Sequence, residues 1–476
     1  METETHQFLP PIIQKTLPAL HPTIFVIFGI TGDLAARKLL PSLLALYSKR
    51  MLPVRFAIVG FSRRSFTREE FRELIRERMN IRPGQFREEE VKHFLDHISY
   101  EQGNFDSGPA YTRLSERLKN IDDRWGQCSN KLFHLSVPPN LYEGILNSLA
   151  ISKLTLPCDD KSGWTRVLIE KPFGNDIVHA RSLDRLLGQL FEESQIFRID
   201  HYLAKEALQN IIAFRFTNPI FAPMWRREHI DKVHIKLFEQ GGIEGRGSFY
   251  DPIGALTDVG QNHILQMLAL ITMKEPKTFS ADDIRRERVI VLRALKKFSR
   301  RQLKENVAMA QYEGYLAESG VAASSKTETY FRIRASIGLS QWKGVPFYLE
   351  SGKALSESKT EIDIYFKNRK NPAEQNILTF RIQPDECIKI KFYVKTPGAG
   401  FATEPKTLRF RYSDVASFSS LPNDYERLIQ DAFVGDQTLF ASTDEIMASW
   451  EFVTSIIQNR DVIPFSVYPR GAREVE

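Results

Sequence analysis

Apolar positions in this chain change their pattern near residue 200. Ahead of that point they come as short unbroken runs over 23–28, 55–60, 131–137 and 164–170. Each is too short for a typical helix and rich in branched or aromatic residues, so each reads as a buried strand. Helical spacing fills the gaps. Leu34, Leu39, Leu40, Leu43 and Leu44 recur towards Tyr47, and Pro41 predicts an interruption of that helix. Residues 67–98 are charged and amphipathic, and 141–149 and 181–191 are helical in pattern again. Strands alternating with helices predict a doubly wound parallel sheet.

Beyond residue 200 the alternation weakens. Strand-like runs appear over 232–238, 330–337, 360–366, 376–382 and 387–394, with helical stretches over 253–273, 424–433 and 443–459. Consecutive strands at short separation predict an antiparallel sheet, so the second half is expected to be α+β. The expected organisation is a loose arm over 1–20, an α/β domain over 21–199 and an α+β domain over 200–476.

Composition narrows the function. With 42% hydrophobic and 26% charged residues, the chain is neither disordered nor fibrous. Its formal charge of +6 is scattered, which argues against nucleic-acid binding and suits anionic small ligands. No stretch approaches the roughly 18 apolar residues of a membrane span. Cys128, Cys158 and Cys387 are too few for a disulfide framework or a tetrathiolate metal site, which suggests a reducing compartment. The N-terminus lacks a basic region followed by an apolar one, so the cytoplasm is expected.

Three segments carry candidate chemistry. Gly29-Ile30-Thr31-Gly32-Asp33-Leu34-Ala35 lies where a strand gives way to a helix, the place where glycines let backbone N–H groups approach a pyrophosphate. A tight turn in any α/β protein would look similar. The second strand ends Gly60-Phe61-Ser62-Arg63-Arg64 without the carboxylate that binds a ribose 2′-hydroxyl, and guanidiniums there favour a 2′-phosphate, hence NADP. The strand over 164–170 delivers Lys171 at a ligand-binding sheet edge, and the Lys171–Pro172 bond is a candidate for cis. Asp200-His201-Tyr202 with Lys205 would put His201 and Lys205 on one face of a helix starting near Asp200; a capping Asp with a solvated ion pair is the plainer alternative. Finally, Asp258, Gln261, Asn262, His263 and Gln266 crowd polar groups into an otherwise apolar helix. Asp258 and His263 are about 7.5 Å apart along an ideal α-helix and do not share a face.

These residues resemble those of the glucose-6-phosphate dehydrogenase family. The resemblance is carried by the Gly29–Ala35 turn, Glu170-Lys171-Pro172-Phe173-Gly174, Arg198-Ile199-Asp200-His201-Tyr202-Leu203, Glu244-Gly245-Arg246-Gly247, Asp258 to His263, Ser351-Gly352-Lys353 and Gly435 to Phe440, in that order. It implies a Rossmann domain followed by an α+β domain with a large, mainly antiparallel sheet, acting as a homodimer or homotetramer. It implies NADP-dependent oxidation of glucose 6-phosphate at C1 to the 6-phosphogluconolactone, the first step of the oxidative pentose phosphate pathway, with no metal. His263 resembles the general base and Asp200 its orienting carboxylate. His201, Tyr202 and Lys205 resemble the phosphate grip; Glu239, Asp258 and Lys353 resemble sugar contacts. Gly29, Ile30, Thr31, Gly32, Asp33, Leu34 and Arg63 fall at cofactor positions, and Lys171 lies between cofactor and substrate. Against the family pattern, Ala204 replaces a Gly, Thr257 and Glu350 each replace an Arg, and Ser358 replaces a basic residue. A catalytically silent regulatory homologue, or another NAD(P)-dependent sugar oxidoreductase of the glucose–fructose oxidoreductase type, are the alternatives.

Overall fold

The computed structural model describes residues 21–158, 163–414 and 422–475. The expected arm over 1–20 lies outside the described residues. Six parallel strands build the first sheet: β1 (Thr23–Phe28), β2 (Phe56–Ser62), β3 (Ile98–Gln102), β4 (Asn130–Leu135), β5 (Thr165–Glu170) and β6 (Ile196–Ile199), in spatial order β3-β2-β1-β4-β5-β6. The direction of winding reverses at β1, whose neighbours are β2 and β4. In open α/β sheets, ligands bind at the carboxyl edge of such a switch point. Both faces are covered. Phe25, Ile27 and Leu168 enter one apolar cluster, Val26, Phe133 and Val167 another.

The stretch over 67–98 is two helices, Arg68–Arg78 and Glu88–Asp96, followed directly by β3. Pro41 does change the register of its helix: a π-helical turn over Ala35–Leu39 runs into an α-helix over Leu40–Ser48, with the proline just past the junction, where it cannot donate a backbone hydrogen bond.

The second sheet has nine strands. Its first eight are β7 (Ile230–Phe238), β8 (Val307–Tyr312), β9 (Tyr330–Ala335), β10 (Phe347–Gly352), β11 (Lys359–Phe366), β12 (Ile377–Gln383), β13 (Cys387–Lys395) and β14 (Thr403–Arg411). They run in spatial order β14-β13-β12-β11-β7-β10-β9-β8, with Phe465–Tyr468 at the far edge. Pairing is antiparallel except between β7 and β10 and between β8 and the edge strand. β7 shows why the sheet has two unlike faces. Val233, Ile235 and Leu237 are buried, whereas Lys232, His234 and Lys236 are half-buried.

A shared strand and a shared core are among the links that join the halves. Phe440–Ala441 pairs antiparallel with β6, so the C-terminal region contributes a strand to the first sheet. The cluster holding Phe25 and Leu168 continues through Leu265 to Leu349 on the second sheet. One expectation is overturned: Cys128 and Cys158 form a disulfide, leaving Cys387 free and buried. Cys128 precedes β4 and Cys158 precedes β5, and adjacent parallel strands start side by side. The cysteine count therefore no longer argues for a reducing compartment.

Candidate active site

The Gly29–Leu34 turn leaves β1 at the switch point. Gly29 takes φ +79°, and a Cβ there would run into the carbonyl oxygen of Ser136, beyond β4. Only glycine fits this approach. The Gly32 N–H closes the turn onto the Gly29 carbonyl at 2.8 Å. Ile30 is buried beneath it, Thr31 Oγ1 meets Ser62 Oγ at 2.9 Å, and Leu34 is half-buried. Arg78, which the sequence pattern did not single out, donates to the Thr31 carbonyl and, at 2.8 Å, to exposed Asp33. Arg63 is exposed just past β2. A concave backbone turn opening a helix, with guanidiniums beside it, fits a nicotinamide dinucleotide.

Lys171 leaves the end of β5 through a cis Lys171–Pro172 bond, and its Nζ donates to the Asp258 carbonyl at 3.2 Å and to its carboxylate at 3.4 Å. The segment after β6 differs from expectation. Asp200 to Lys205 is a turn, and the helix starts only at Glu206, with Lys205 as its N-cap. Asp200 is therefore released from helical geometry. One of its oxygens accepts the Tyr202 N–H at 3.0 Å and bonds His263 Nδ1 at 2.6 Å.

His263 lies 63 residues further along the chain, on a helix that is π-helical over Leu256–Ile264. This corrects the reading from an ideal α-helix. A π-helix bonds residue i to i+5, so residues five apart stack in successive turns, and Asp258 and His263 face the same cleft. The Tyr202 ring stacks on His263 at 4.2 Å between centroids, and His201 meets it edge-on at 4.9 Å. His263 and Asp200 each have side chains only 2% exposed. His263 Nε2 and the second Asp200 oxygen have no hydrogen-bond partner among the described residues.

Electrostatics follow from this burial. Removal from water pushes the His263 pKa down and nearby Lys171 adds to it, while Asp200 only partly opposes them. Burial would raise Asp200, but the charge and hydrogen bond of His263, then His201 and Lys171, hold it at about 2. His201 is pushed down to about 3 by burial, His263 and the two lysines. Burial also opposes ionisation of Asp258, yet Lys171 and Lys353 bring its pKa below the usual range.

The cleft's far wall belongs to the second sheet. Lys353, buried just past β10, pairs with half-buried Glu239 and stands 4.0 Å from Asp258. Lys205 pairs with Asp424 at 3.3 Å and lies 5.4 Å from the Tyr202 ring. Gln383, which no sequence pattern marks, donates to the Tyr202 hydroxyl at 3.1 Å. Asp200, His201 and His263 also bring three ligand-type atoms within 4.8 Å of one another. The direct bond between Asp200 and His263 makes this an oriented imidazole, since a shared ion would have to stand between them.

Residues 26–210 match the family described as glucose-6-phosphate dehydrogenase, NAD binding domain, and residues 212–476 match its C-terminal domain. The chain belongs to the glucose-6-phosphate dehydrogenase family. It is 37% identical to the glucose-6-phosphate 1-dehydrogenase of Chlamydia pneumoniae, over 97% of this chain and 96% of that protein. It is 40% identical to the enzyme of Aggregatibacter actinomycetemcomitans, over 91% and 90% respectively. A solved glucose-6-phosphate dehydrogenase in complex with its substrate glucose-6-phosphate superposes with a TM-score of 0.89 at 33% identity, covering 97% of both chains.

The departures from the glucose-6-phosphate dehydrogenase pattern can now be placed. Glu350 turns away from Lys353. It alternates to the other face of β10, where His234 and the Tyr330 hydroxyl each bond it at 2.6 Å. Ser358 accepts the Gln240 N–H at 2.8 Å, and Lys359 turns to Glu357 and Glu361. Ala204 is buried in the turn and Thr257 within the π-helix. Among the described residues, the hydrogen bonds of the Asp200 side chain go to Tyr202 and His263, not to any of these four.

Proposed function

We propose that this chain oxidises glucose 6-phosphate at C1 with NADP, with His263 as general base and Asp200 as the carboxylate that orients it. The observation that carries this reading is the 2.6 Å bond from His263 Nδ1 to Asp200, made while Nε2 is buried and has no hydrogen-bond partner among the described residues. Membership of the family makes the activity oxidation of glucose 6-phosphate with a nicotinamide dinucleotide; the residue roles and NADP are inferred.

Gly29, Ile30, Thr31, Gly32, Asp33 and Leu34 would hold the dinucleotide's phosphates, with Arg63 beside the 2′-phosphate. The bound dinucleotide supplies the hydride acceptor. His263 Nε2 accepts the proton of the C1 hydroxyl, as a neutral imidazole near pH 7 can, and Asp200 fixes the tautomer and stabilises the imidazolium that forms. Lys171 adds positive charge next to Asp258, at the mouth between the domains. Asp258, Glu239 and Lys353 contact the sugar, and His201, Tyr202 and Lys205 grip the phosphate. Lys205 can exchange Asp424 for a phosphate with two negative charges.

A homodimer or homotetramer is inferred from membership of the family alone. Among the described residues no helix is long and apolar enough to cross a membrane. A phosphorylated sugar does not cross bilayers unaided, which supports a cytoplasmic setting. The deciding experiment compares rates of dinucleotide reduction with glucose 6-phosphate and either NADP or NAD. NADP is expected to be faster, and no reduction of either would overturn the reading in favour of a silent homologue.

A further inference from the structure

Glu328 has no exposed side-chain surface, and the chemistry above does not use it. It precedes β9 and lies across the N-terminal end of the π-helix that carries Asp258 and His263. Its Oε1 accepts the Leu256 N–H at 3.1 Å, and its backbone carbonyl accepts the Ala255 N–H at 2.9 Å and the Tyr250 hydroxyl at 3.2 Å. Arg460 closes on the carboxylate from outside at 3.0 Å. Gly254 makes room for it: φ there is +77°, and a Cβ would stand 2.6 Å from Glu328 Oε1. The next residue reaches the opposite wall. The Thr329 carbonyl accepts the Lys353 N–H at 3.0 Å, and the Thr329 hydroxyl meets Tyr468, whose own hydroxyl donates to the Lys353 carbonyl at 2.6 Å. Two adjacent residues thus hold both the start of the helix bearing Asp258 and the backbone of Lys353.

We propose that Glu328, backed by Arg460, is a positioning residue that sets Asp258 at the spacing from Lys353 which the sugar hydroxyls require. The proposal rests on the sugar-contact reading of Asp258 and Lys353 given above. A carboxylate at a helix N-terminus satisfies an otherwise orphaned N–H and complements the helix dipole. Burial raises the Glu328 pKa and Arg460 opposes that rise, which is the balance expected of a buried acid kept for its hydrogen bonds. The capped Leu256 lies in the same turn as Asp258 and well ahead of His263. Loosening the cap therefore displaces the sugar contact more than the base.

The test measures kcat and both KM values for full-length Glu328→Ala, Glu328→Gln, Arg460→Met and Lys353→Ala. Glu328→Ala is expected to raise KM for glucose 6-phosphate about tenfold, leaving kcat and the NADP KM within about threefold. Glu328→Gln keeps an oxygen acceptor for Leu256 and is expected to recover most of that loss. An unchanged sugar KM, equal losses in all three parameters, or a Gln variant no better than Ala would overturn the proposal. If Glu328→Ala does not fold, Arg460→Met decides: a rise of about threefold in the same KM supports the proposal and no change overturns it. Lys353→Ala separates the failures. If it leaves the sugar KM unchanged, the sugar-contact reading falls and takes the positioning proposal with it. If it raises that KM while Glu328→Ala does not, only the positioning falls.

Discussion

The two ends of the cleft are built on opposite plans. At the base end, Asp200 and His263 are both 2% exposed, bonded to each other at 2.6 Å and roofed by the Tyr202 ring. At the phosphate end, Lys205 and His201 are half-buried, and Lys205 holds Asp424 at a looser 3.3 Å. A group that must receive a proton in one geometry gains from being fixed before substrate arrives. A group that must capture and release an anion gains from a partner it can exchange. The comparison predicts where each substitution will register: kcat at the first end, KM at the second.

The largest effect is expected from His263→Asn. On the proposed mechanism it removes the ring nitrogen that takes the C1 proton while keeping a polar side chain of smaller volume. A fall in kcat of about 10²–10⁴ is expected, with dinucleotide affinity in a fluorescence titration essentially unchanged. A variant that keeps its kcat would break the base assignment.

Asp200→Asn sharpens the same end through pH. With His263 as the proposed base, the rate requires it neutral, so activity is expected to fall as pH drops through the His263 pKa. Burial and Lys171 have already moved that pKa below its ordinary 6.5, so the wild-type acid limb is expected below pH 6.5. Asp200 works against this lowering. Its replacement is therefore expected to move the limb to still lower pH, together with a loss of about 10² in kcat from the misoriented ring. An acid limb that stays in place would mean that Asp200 does not interact electrically with the base.

Lys205→Ala probes the other end. Losing a charge-assisted bond to the phosphate is expected to raise KM for glucose 6-phosphate about tenfold, with kcat changed by less than about threefold. An equal fall in kcat would show that the phosphate end is as rigidly tied to the chemistry as the base end, and the contrast would fail.

How far the sequence reveals each end follows from the same physics. Asp200, His201, Tyr202 and Lys205 are contiguous, so a short motif displays them. The pairing of Asp200 with His263 spans 63 residues and depends on a π-helix, a hydrogen-bond register that apolar periodicity does not distinguish from an α-helix. The same register is why Asp258 and His263 looked misaligned. Four of the six parallel strands were legible because both their faces are apolar; β3, with polar Ser99, Glu101 and Gln102, and the four-residue β6 were not. β8 and β10 were missed because polar residues that end up buried, Gln311 in one and Glu350 and Ser351 in the other, break their apolar runs, and β14 because it is almost wholly exposed. Phe440–Ala441 is two residues long, too short to leave any pattern. Glu328, Gln383 and Arg78 each act through a partner distant in the chain, and no local spacing marks them.

Arg63 gives the smallest effect and the most exacting comparison, because it is an anion-gripping group with almost no burial. It stands exposed just beyond β2, next to Arg64, where water and counter-ions screen a guanidinium strongly. Lys205, half-buried against Tyr202, is screened less. Arg63→Ala is therefore expected to raise the NADP KM only about threefold and to leave the NAD KM unchanged, since NAD lacks the 2′-phosphate. The contrast also predicts a salt dependence. Raising ionic strength should erase most of the Arg63 effect, because the Debye length shrinks from about 10 Å at 0.1 M to about 3 Å at 1 M. The Lys205 effect should persist over the same range. If both effects fade alike with salt, burial does not distinguish the two grips, and the gradient from fixed base to exchangeable charge stops at Lys205 rather than running out to the surface.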